Sequence, residues 1–243
     1  MVGSNGNLWF TDSGLTSAIG EITPSGAITE FSDGLGAQSA PSNIVVGPGG
    51  DLWFTDDGYT PAVGEVTPAG VITEFSSGLA VGSSPNNLVA GPGGDVWFTD
   101  SGLTPAIGSV TPAGTIAETA LPEVSNPDGI VVGPNGNLWF TDNGTPAIGE
   151  MTPSGAVTEF TQGLGAGSLP GAIVVGPDGN LWFTDAGVPA IGSVTPAGAI
   201  TEYTSGLNAG SFPEDIVSAS NGAMWFGDVG AITAVAEVTP SSP

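Results

Sequence analysis

Three observations on the sequence predict an all-β protein that folds as a single β-propeller of six four-stranded blades. First, a motif of the type GPGGDLWFTDDG recurs along the chain, and each copy holds one of the six tryptophans. Second, these tryptophans lie 42 to 44 residues apart, the length of one four-stranded blade. Third, helical periodicity is absent, and a proline in every unit would interrupt a helix. The predicted domain covers residues 1–243, with blades of about 43 residues centred on Trp9, Trp53, Trp97, Trp139, Trp182 and Trp225.

One unit shows how the strands of each blade are predicted. Its four strands are expected at residues 43–46, 51–55, 62–67 and 71–75. The first is β-branched and ends at glycine and proline, which indicates a buried strand before a tight hairpin. The fourth alternates apolar and polar residues, as a half-buried edge strand does. Neighbouring side chains in a strand point to opposite faces, so Trp53 and Phe54 are predicted to pack against the two adjacent blades.

The first and last blades are predicted to be incomplete. Val2 and Gly3 align with Val132 and Gly133, so the chain starts near the end of a first strand. The last unit has three predicted strands, at residues 215–219, 223–226 and 234–239, and no fourth. Incomplete blades can pair between chains, so self-association through these ends is one expectation.

The charge balance is the most unusual feature of the composition. The 243 residues include no Lys, Arg or His, and 24 Asp or Glu. Average usage predicts about 30 basic residues in a chain of this length. The deficit favours a designed or recoded sequence, and the alternative is a natural acidic secreted protein. Such a natural protein would be extracellular, although the N-terminus MVGSNGNLW has no signal-peptide pattern.

This composition excludes several function classes. A uniformly negative surface repels nucleic acid and anionic membranes, and no apolar run of about 18 residues is present to span a bilayer. The absence of cysteine excludes disulfides and thiolate metal sites. Mutual repulsion of the carboxylates also predicts that stability rises as the pH falls from neutral to moderately acidic.

The segments GPDGNLWFTD, AIGSVTP and AGAITEY, together with a Pro-x-x-Ile start to the first strands, resemble the virginiamycin B lyase (streptogramin lyase) family over essentially the whole chain. The resemblance implies a seven-bladed propeller that opens the lactone ring of streptogramin B antibiotics by metal-assisted elimination. Six units are a departure from that number. The family's third strand typically reads Ile-Gly-Arg, and here the arginine position holds Glu21, Glu65, Ser109, Glu150, Ser193 and Glu237.

The resemblance also implies where catalytic histidines would lie, directly after the proline that leads into a first strand. The matching positions are Ser42, Asn86, Asp128, Gly171 and Glu214. Lyase chemistry of this kind relies on histidine as acid or base near neutral pH. The resemblance therefore implies the fold and does not imply the activity, and no catalytic residue is predicted.

Two sets of acids recur at fixed positions of the repeat. An aspartate ends each second strand: Asp12, Asp56, Asp100, Asp142, Asp185 and Asp228. These could bind a hard cation, but each is followed two residues later by glycine, which is typical of a side chain that caps its own turn. A glutamate lies in each fourth strand: Glu30, Glu74, Glu118, Glu159 and Glu202. These glutamates are predicted to face solvent, where charge discourages edge-to-edge pairing.

The best candidates for a ligand site are residues that lead into the first strands, because in a propeller these converge at one mouth of the central channel. The candidates are Ser42, Asn86, Asn87, Asp128, Glu214 and Asp215. A small polar ligand or a divalent cation, Ca²⁺ or Mg²⁺, would suit them, with Asp128, Glu214 and Asp215 as the candidate metal ligands.

Three functions remain open at this point. A non-enzymatic scaffold or binding module is favoured because histidine is absent. The alternatives are a degenerate, metal-dependent lyase that uses the acidic channel mouth, and a structural surface protein that self-assembles through its incomplete blades.

Overall fold

The computed structural model describes residues 1–231 and 233–240. Within these residues, 22 strands form six antiparallel sheets, and helix is limited to short 3₁₀ turns such as Pro48–Gly50 and Pro92–Gly94. None of the helical segments in this described part has the length and apolarity that a membrane span requires. The all-β prediction is therefore confirmed, and each sheet is called a blade below.

The chain divides into two compact units, Met1–Glu123 and Val124–Pro243. The described strands of the first unit are β1 (Leu8–Asp12), β2 (Ala18–Ile22), β3 (Ile28–Phe31), β4 (Pro41–Val46), β5 (Leu52–Asp56), β6 (Ala62–Val66), β7 (Ile72–Phe75), β8 (Pro85–Ala90), β9 (Val96–Asp100), β10 (Ala106–Val110) and β11 (Ile116–Ala120). Those of the second unit are β12 (Pro127–Val132), β13 (Leu138–Asp142), β14 (Ala147–Met151), β15 (Val157–Phe160), β16 (Pro170–Val175), β17 (Leu181–Asp185), β18 (Ala190–Val194), β19 (Ile200–Tyr203), β20 (Pro213–Ser218), β21 (Met224–Asp228) and β22 (Ala234–Val238). The prediction of one domain over residues 1–243 stays a prediction.

Each blade is a meander in which consecutive strands pair. Blade two, β4-β5-β6-β7, has the register Val45↔Trp53 between its first two strands and Val66↔Ile72 between its last two. Its strands match the predicted ranges to within two residues. The hairpin between β4 and β5 ends in Gly49 and Gly50, whose φ values of 79° and 92° explain why glycine stands there.

The two end blades have three strands each among the described residues. Blade one consists of β1-β2-β3, and blade six consists of β20-β21-β22. Val2 forms only an isolated bridge with Leu8 where a first strand would pair. The predicted shortening of the first and last blades is confirmed.

The aromatic pair of the second strand joins neighbouring blades. Trp53 packs in a buried cluster with Phe98 of blade three, while Phe54 packs with Trp9 and Ile19 of blade one. Opposite faces of one strand thus serve two different interfaces, as predicted from strand geometry. An aromatic ring of the fourth strand stacks on the tryptophan of its own blade at centroid distances of 5.4–5.7 Å in four pairs: Trp9–Phe31, Trp53–Phe75, Trp139–Phe160 and Trp182–Tyr203.

Candidate functional site

Five of the first strands begin at a buried proline, called the leading proline here: Pro41, Pro85, Pro127, Pro170 and Pro213. Directly after each of them, the pairing with the second strand is irregular or bulged. A β-bulge takes residues out of the ladder and redirects their side chains. The predicted site residues all follow a leading proline, so they lie in these bulges and not in regular strand.

The threonine of each LWFTD segment is a signal that sequence reasoning missed. Its hydroxyl donates to a carbonyl oxygen in the bulge of the next blade: Thr11 to Ser42 (2.8 Å), Thr55 to Asn86 (2.6 Å), Thr141 to Gly171 (2.6 Å) and Thr184 to Glu214 (2.7 Å). The same hydroxyl oxygen accepts an amide hydrogen bond from the bulge of its own blade, as from Gly129 to Thr141 at 2.9 Å. The threonines therefore fix the backbone of the candidate residues, and Thr55 also contacts the Ser42 side chain.

In the first unit, the predicted residues lie together. Ser42 is exposed, and its hydroxyl lies 2.9 Å from the hydroxyl of Thr55, which also binds the Asn86 carbonyl. Asn43 donates from Nδ2 to Oδ1 of Asn87 at 2.8 Å. The result is a neutral patch of hydroxyl and amide groups, in which Asn86 and Asn87 are half-buried.

In the second unit, the predicted residues are acidic. Asp128 is half-buried in the bulge of blade four. Its carboxylate lies close to Gly171 of blade five, because a Cβ added to Gly171 would be 3.8 Å from Oδ2 of Asp128. Glu214 and Asp215 follow one another in β20, and both are exposed. These two carboxylates can attract a cation, or a polar ligand that donates hydrogen bonds.

The candidate metal ligands Asp128, Glu214 and Asp215 do not belong to a cluster of three acids in the described part of the chain. Across residues 1–231 and 233–240, no group of three or more acidic side chains is placed to hold a metal ion. Ca²⁺ takes six to eight oxygen ligands and Mg²⁺ takes six, so Asp128, Glu214 and Asp215 would need backbone carbonyls and water to complete either shell.

The aspartates that end the second strands cap their turns, as predicted. In all six blades the amide of the glycine two residues later donates to Asp Oδ1, at 2.8–3.0 Å. In blades two to six the same oxygen also accepts the amide of the residue before the leading proline, at 2.7–2.9 Å. The Ser39 and Ser83 hydroxyls donate to the second oxygen of Asp56 and Asp100. These hydrogen bonds lower the pKa of Asp228, chiefly that from the Phe212 amide.

The glutamates of the fourth strands do not all face solvent, and this expectation was wrong for four of the five. Glu30 is exposed, but the other four are half-buried. Three of these bind a backbone amide of the loop before their own blade: Gly36 to Glu74 (2.9 Å), Ala80 to Glu118 (3.0 Å) and Gly165 to Glu202 (3.0 Å). The loop folds over the fourth strand, which removes these carboxyls from water.

Burial beside an aspartate raises the pKa of these glutamates. Burial first, and Asp56 second, raise the pKa of Glu74 to about 7, and burial with Asp100 does the same for Glu118. The pKa of Glu159 and of Glu202 is raised for the same reasons, chiefly by burial. Oε1 of Glu74 and of Glu118 is buried and accepts no hydrogen bond from the described residues.

Replacing both Glu74 and Glu118 with glutamine is expected to stabilise the protein at pH 8 and to flatten its pH dependence. Their folded-state pKa of about 7 lies above the unfolded value, so their stabilising contribution is fully present below about pH 4.5 and is lost as the pH rises through 7. One pKa unit corresponds to about 1.4 kcal/mol, and solvent screening of these partly exposed groups reduces the gain to about 1 kcal/mol per site. Urea unfolding of the native protein and the double variant at pH 5 and pH 8 measures this change in the free energy of unfolding.

Glu30→Gln is the matched control, because Glu30 occupies the same strand position and is exposed. The gain of the double variant should shrink at pH 5, where the native glutamates already carry protons. A double variant no more stable than the native protein at pH 8 would contradict the raised pKa of these two glutamates.

Comparison with known proteins shows similarity to one protein family over nearly the whole chain. The model of the virginiamycin B lyase family matches residues 1–163 and 78–242. A catalytically inactive variant of virginiamycin B lyase from Staphylococcus aureus, solved with quinupristin, is 33% identical with a TM-score of 0.87, covering 99% of this chain and 79% of the other. A selenomethionine-substituted virginiamycin B lyase from the same organism is 30% identical with a TM-score of 0.84, covering 100% and 84%. The fold is thus a β-propeller.

More distant structures share only the fold. An enzyme described as a putative gluconolactonase is 15% identical with a TM-score of 0.66, covering 98% of this chain and 88% of the other. No curated protein sequence matches the chain at a significant level.

Proposed function

The chain belongs to the virginiamycin B lyase family, and from this premise we propose that it is a non-enzymatic β-propeller, a scaffold or binding module that retains the family's fold without its chemistry. The observation that carries the proposal is the absence of histidine from all 243 residues. An acid or base that works near neutral pH is most often histidine, because its unperturbed pKa lies close to 6.5. The positions after the leading prolines offer only hydroxyl, amide, carboxylate or glycine instead.

A related structure supports this reasoning. The variant of the Staphylococcus aureus lyase that was solved with quinupristin has one histidine replaced by alanine and is described as catalytically inactive. In that protein, the loss of a single histidine removes activity while a complex with the antibiotic can still be obtained. A family member that lacks every histidine is expected to lose the reaction in the same way.

The residues after the leading prolines define what a binding module of this kind would take. In the first unit, Asn86 and Asn87 offer amide groups beside the exposed Ser42 hydroxyl. In the second unit, Glu214 and Asp215 present two exposed carboxylates. A small polar ligand that donates hydrogen bonds, or one that carries positive charge, suits both sets.

One observation favours a second candidate, a degenerate metal-dependent lyase. Asp128, Glu214 and Asp215 are the acids nearest to the family's implied histidine positions, and an aspartate or glutamate can act as a general base. Against it stands the lack, among the described residues, of a cluster of three acids around a metal position.

Incubation with quinupristin and Mg²⁺, followed by mass spectrometry of the antibiotic, separates the two candidates. We expect no ring-opened product above the buffer rate, with the Staphylococcus aureus lyase as the positive control. Product that forms and disappears on adding EDTA would overturn the non-enzymatic assignment. Titration calorimetry with quinupristin in the same buffer then distinguishes a binding module, which gives a saturable signal, from a scaffold, which gives none.

A further inference from the structure

Blade four contains three buried side-chain oxygens that make no hydrogen bond with the described residues. They are Oγ of Ser125, Oδ2 of Asp142 and Oε1 of Glu159. The Asp142 side chain is fully buried, and Ser125 is only 6% exposed. A buried polar atom without a partner costs free energy, so nearly all such atoms in folded proteins bind protein, water or an ion. Three of them in one blade indicate a ligand that the polypeptide itself does not supply.

The other blades show that a serine at this position reaches both carboxyl groups. In blade two, Ser39 is the equivalent of Ser125, and its hydroxyl donates to the second oxygen of Asp56. In blade five, the equivalent Ser168 donates to Oε1 of Glu202 at 3.1 Å. The serine, the second-strand aspartate and the fourth-strand glutamate of a blade therefore surround one point.

Within blade four, Asp142 and Glu159 face each other. Burial first, and the charge of Asp142 second, raise the pKa of Glu159, and a charge acts in this way only at short range. Oδ1 of Asp142 accepts the amides of Asn126, Gly144 and Thr145. These three bonds fix the plane of the carboxylate and direct Oδ2 toward the glutamate.

The sequence explains why blade four lacks a partner that other blades have. In blades two, three and five, the backbone amide three residues before the serine donates to the glutamate. The residue three before Ser125 is Pro122, and proline has no amide hydrogen to donate. The segment from the fourth-strand glutamate to the leading proline is also two residues shorter here, residues 118–127 against residues 159–170.

The remaining blades leave fewer of these oxygens without a partner. Blades two and three leave Oε1 of Glu74 and of Glu118, and blade five leaves Oδ2 of Asp185, among the described residues. In blades two and three the serine hydroxyl already occupies the second oxygen of the aspartate. Blade four is therefore the blade in which the aspartate, the glutamate and the serine can all bind the same ligand.

We propose that blade four binds one Ca²⁺ ion through Oδ2 of Asp142, Oε1 of Glu159 and Oγ of Ser125. Ca²⁺ prefers oxygen ligands in flexible geometry, and backbone carbonyls and water complete its shell. Its double charge matches the two carboxylates, and this chain has no Lys, Arg or His to neutralise them. The site is separate from the residues that follow the leading prolines, and it does not rest on the proposed function.

Calorimetric titration of the metal-free protein with CaCl₂ tests the proposal, at physiological ionic strength, which screens weak binding to surface carboxylates. We expect one saturable site, and Glu159→Gln should weaken its affinity for Ca²⁺ at least about tenfold, because a charged ligand is lost. Ca²⁺ should also raise the melting temperature of the native protein more than Mg²⁺ does, and Glu159→Gln should remove this difference.

Glu74→Gln is the matched control, because Glu74 has the same strand position in blade two, where Ser39 already binds the aspartate. This variant should bind Ca²⁺ as the native protein does. No saturable binding by the native protein, or equal affinity of the native protein and Glu159→Gln, would overturn the proposal and assign the three oxygens to a buried water molecule. Loss of binding in Glu214→Gln but not in Glu159→Gln would also overturn it, because the ion would then lie after the leading prolines.

Discussion

Replacing Asp142 with alanine is expected to lower the free energy of unfolding by about 4 kcal/mol. Its Oδ1 accepts three amides, from Asn126 (2.9 Å), Gly144 (2.9 Å) and Thr145 (3.2 Å), and the side chain is fully buried. A hydrogen bond to a charged group contributes about 1.5–3 kcal/mol, and water can replace part of it here, because the three donor amides belong to exposed residues. Because the three bonds share one oxygen, their contributions do not add fully. Urea denaturation at pH 7.5 measures the loss.

Two variants make this result interpretable. Asp12→Ala is the matched control, because Asp12 is less buried and caps only Gly14, so it should cost about 1 kcal/mol or less. Asp142→Asn keeps a side-chain oxygen as acceptor and should recover most of the stability. A loss for Asp142→Ala no larger than for Asp12→Ala would refute the role assigned to the second-strand aspartates.

Replacing Gly192 with alanine is expected to destabilise the protein by about 3 kcal/mol. Gly192 pairs with Phe183 in adjacent strands, and a Cβ on it would overlap the Phe183 ring. That ring is fully buried and packs against Trp139 and Ile148 of blade four, so it has no space to move into. Overpacking of a closed core costs about 1–3 kcal/mol and occasionally more.

The chain offers its own control for this substitution. Ala236 occupies the same repeat position in blade six, opposite Phe226, so alanine is accommodated there. Ala236→Gly should change stability by about 1 kcal/mol or less, the usual backbone cost of glycine in a strand. Thermal unfolding of both variants measures the two effects. Similar melting temperatures for Gly192→Ala and Ala236→Gly would count against overlap with the Phe183 ring as the reason that residue 192 is glycine.

In this chain without Lys, Arg or His, the carboxylates accept hydrogen bonds from amides in place of ion pairs. Backbone amides bind the second-strand aspartates, and asparagine amides serve some third-strand glutamates. Nδ2 of Asn5 and of Asn7 donates to Glu21 at 2.7 Å, and Asn135 and Asn137 do the same for Glu150. An amide hydrogen bond needs no cation, so the fold tolerates the formal charge of −24.

The sequence predicted much of the fold because the relevant signals are local and repeated. The tryptophan spacing predicted the length of the repeat. The glycines and prolines between the strands of residues 43–75 predicted the ends of four strands to within two residues of those observed. The Asp-x-Gly pattern determined the turn role of the six aspartates, because donor and acceptor are two residues apart. Alternation along a strand likewise fixed the opposite faces of Trp53 and Phe54.

The candidate site was predicted less well, because its contacts join residues that are far apart in sequence. Thr55 binds the Asn86 carbonyl across 31 residues, and Glu74 binds the Gly36 amide across 38. Nothing in the alternation of residues 71–75 distinguishes a glutamate that faces water from one covered by the preceding loop.

The sequence by itself therefore determined the repeat period and the order of the strands within each blade, and it shows that histidine is absent. Only the tertiary structure decided which carboxyls are buried and where the threonine hydroxyls bind the backbone of the next blade. The reason is physical: strands and turns follow from interactions within a few residues, whereas burial and pKa follow from which blade and loop pack against a side chain.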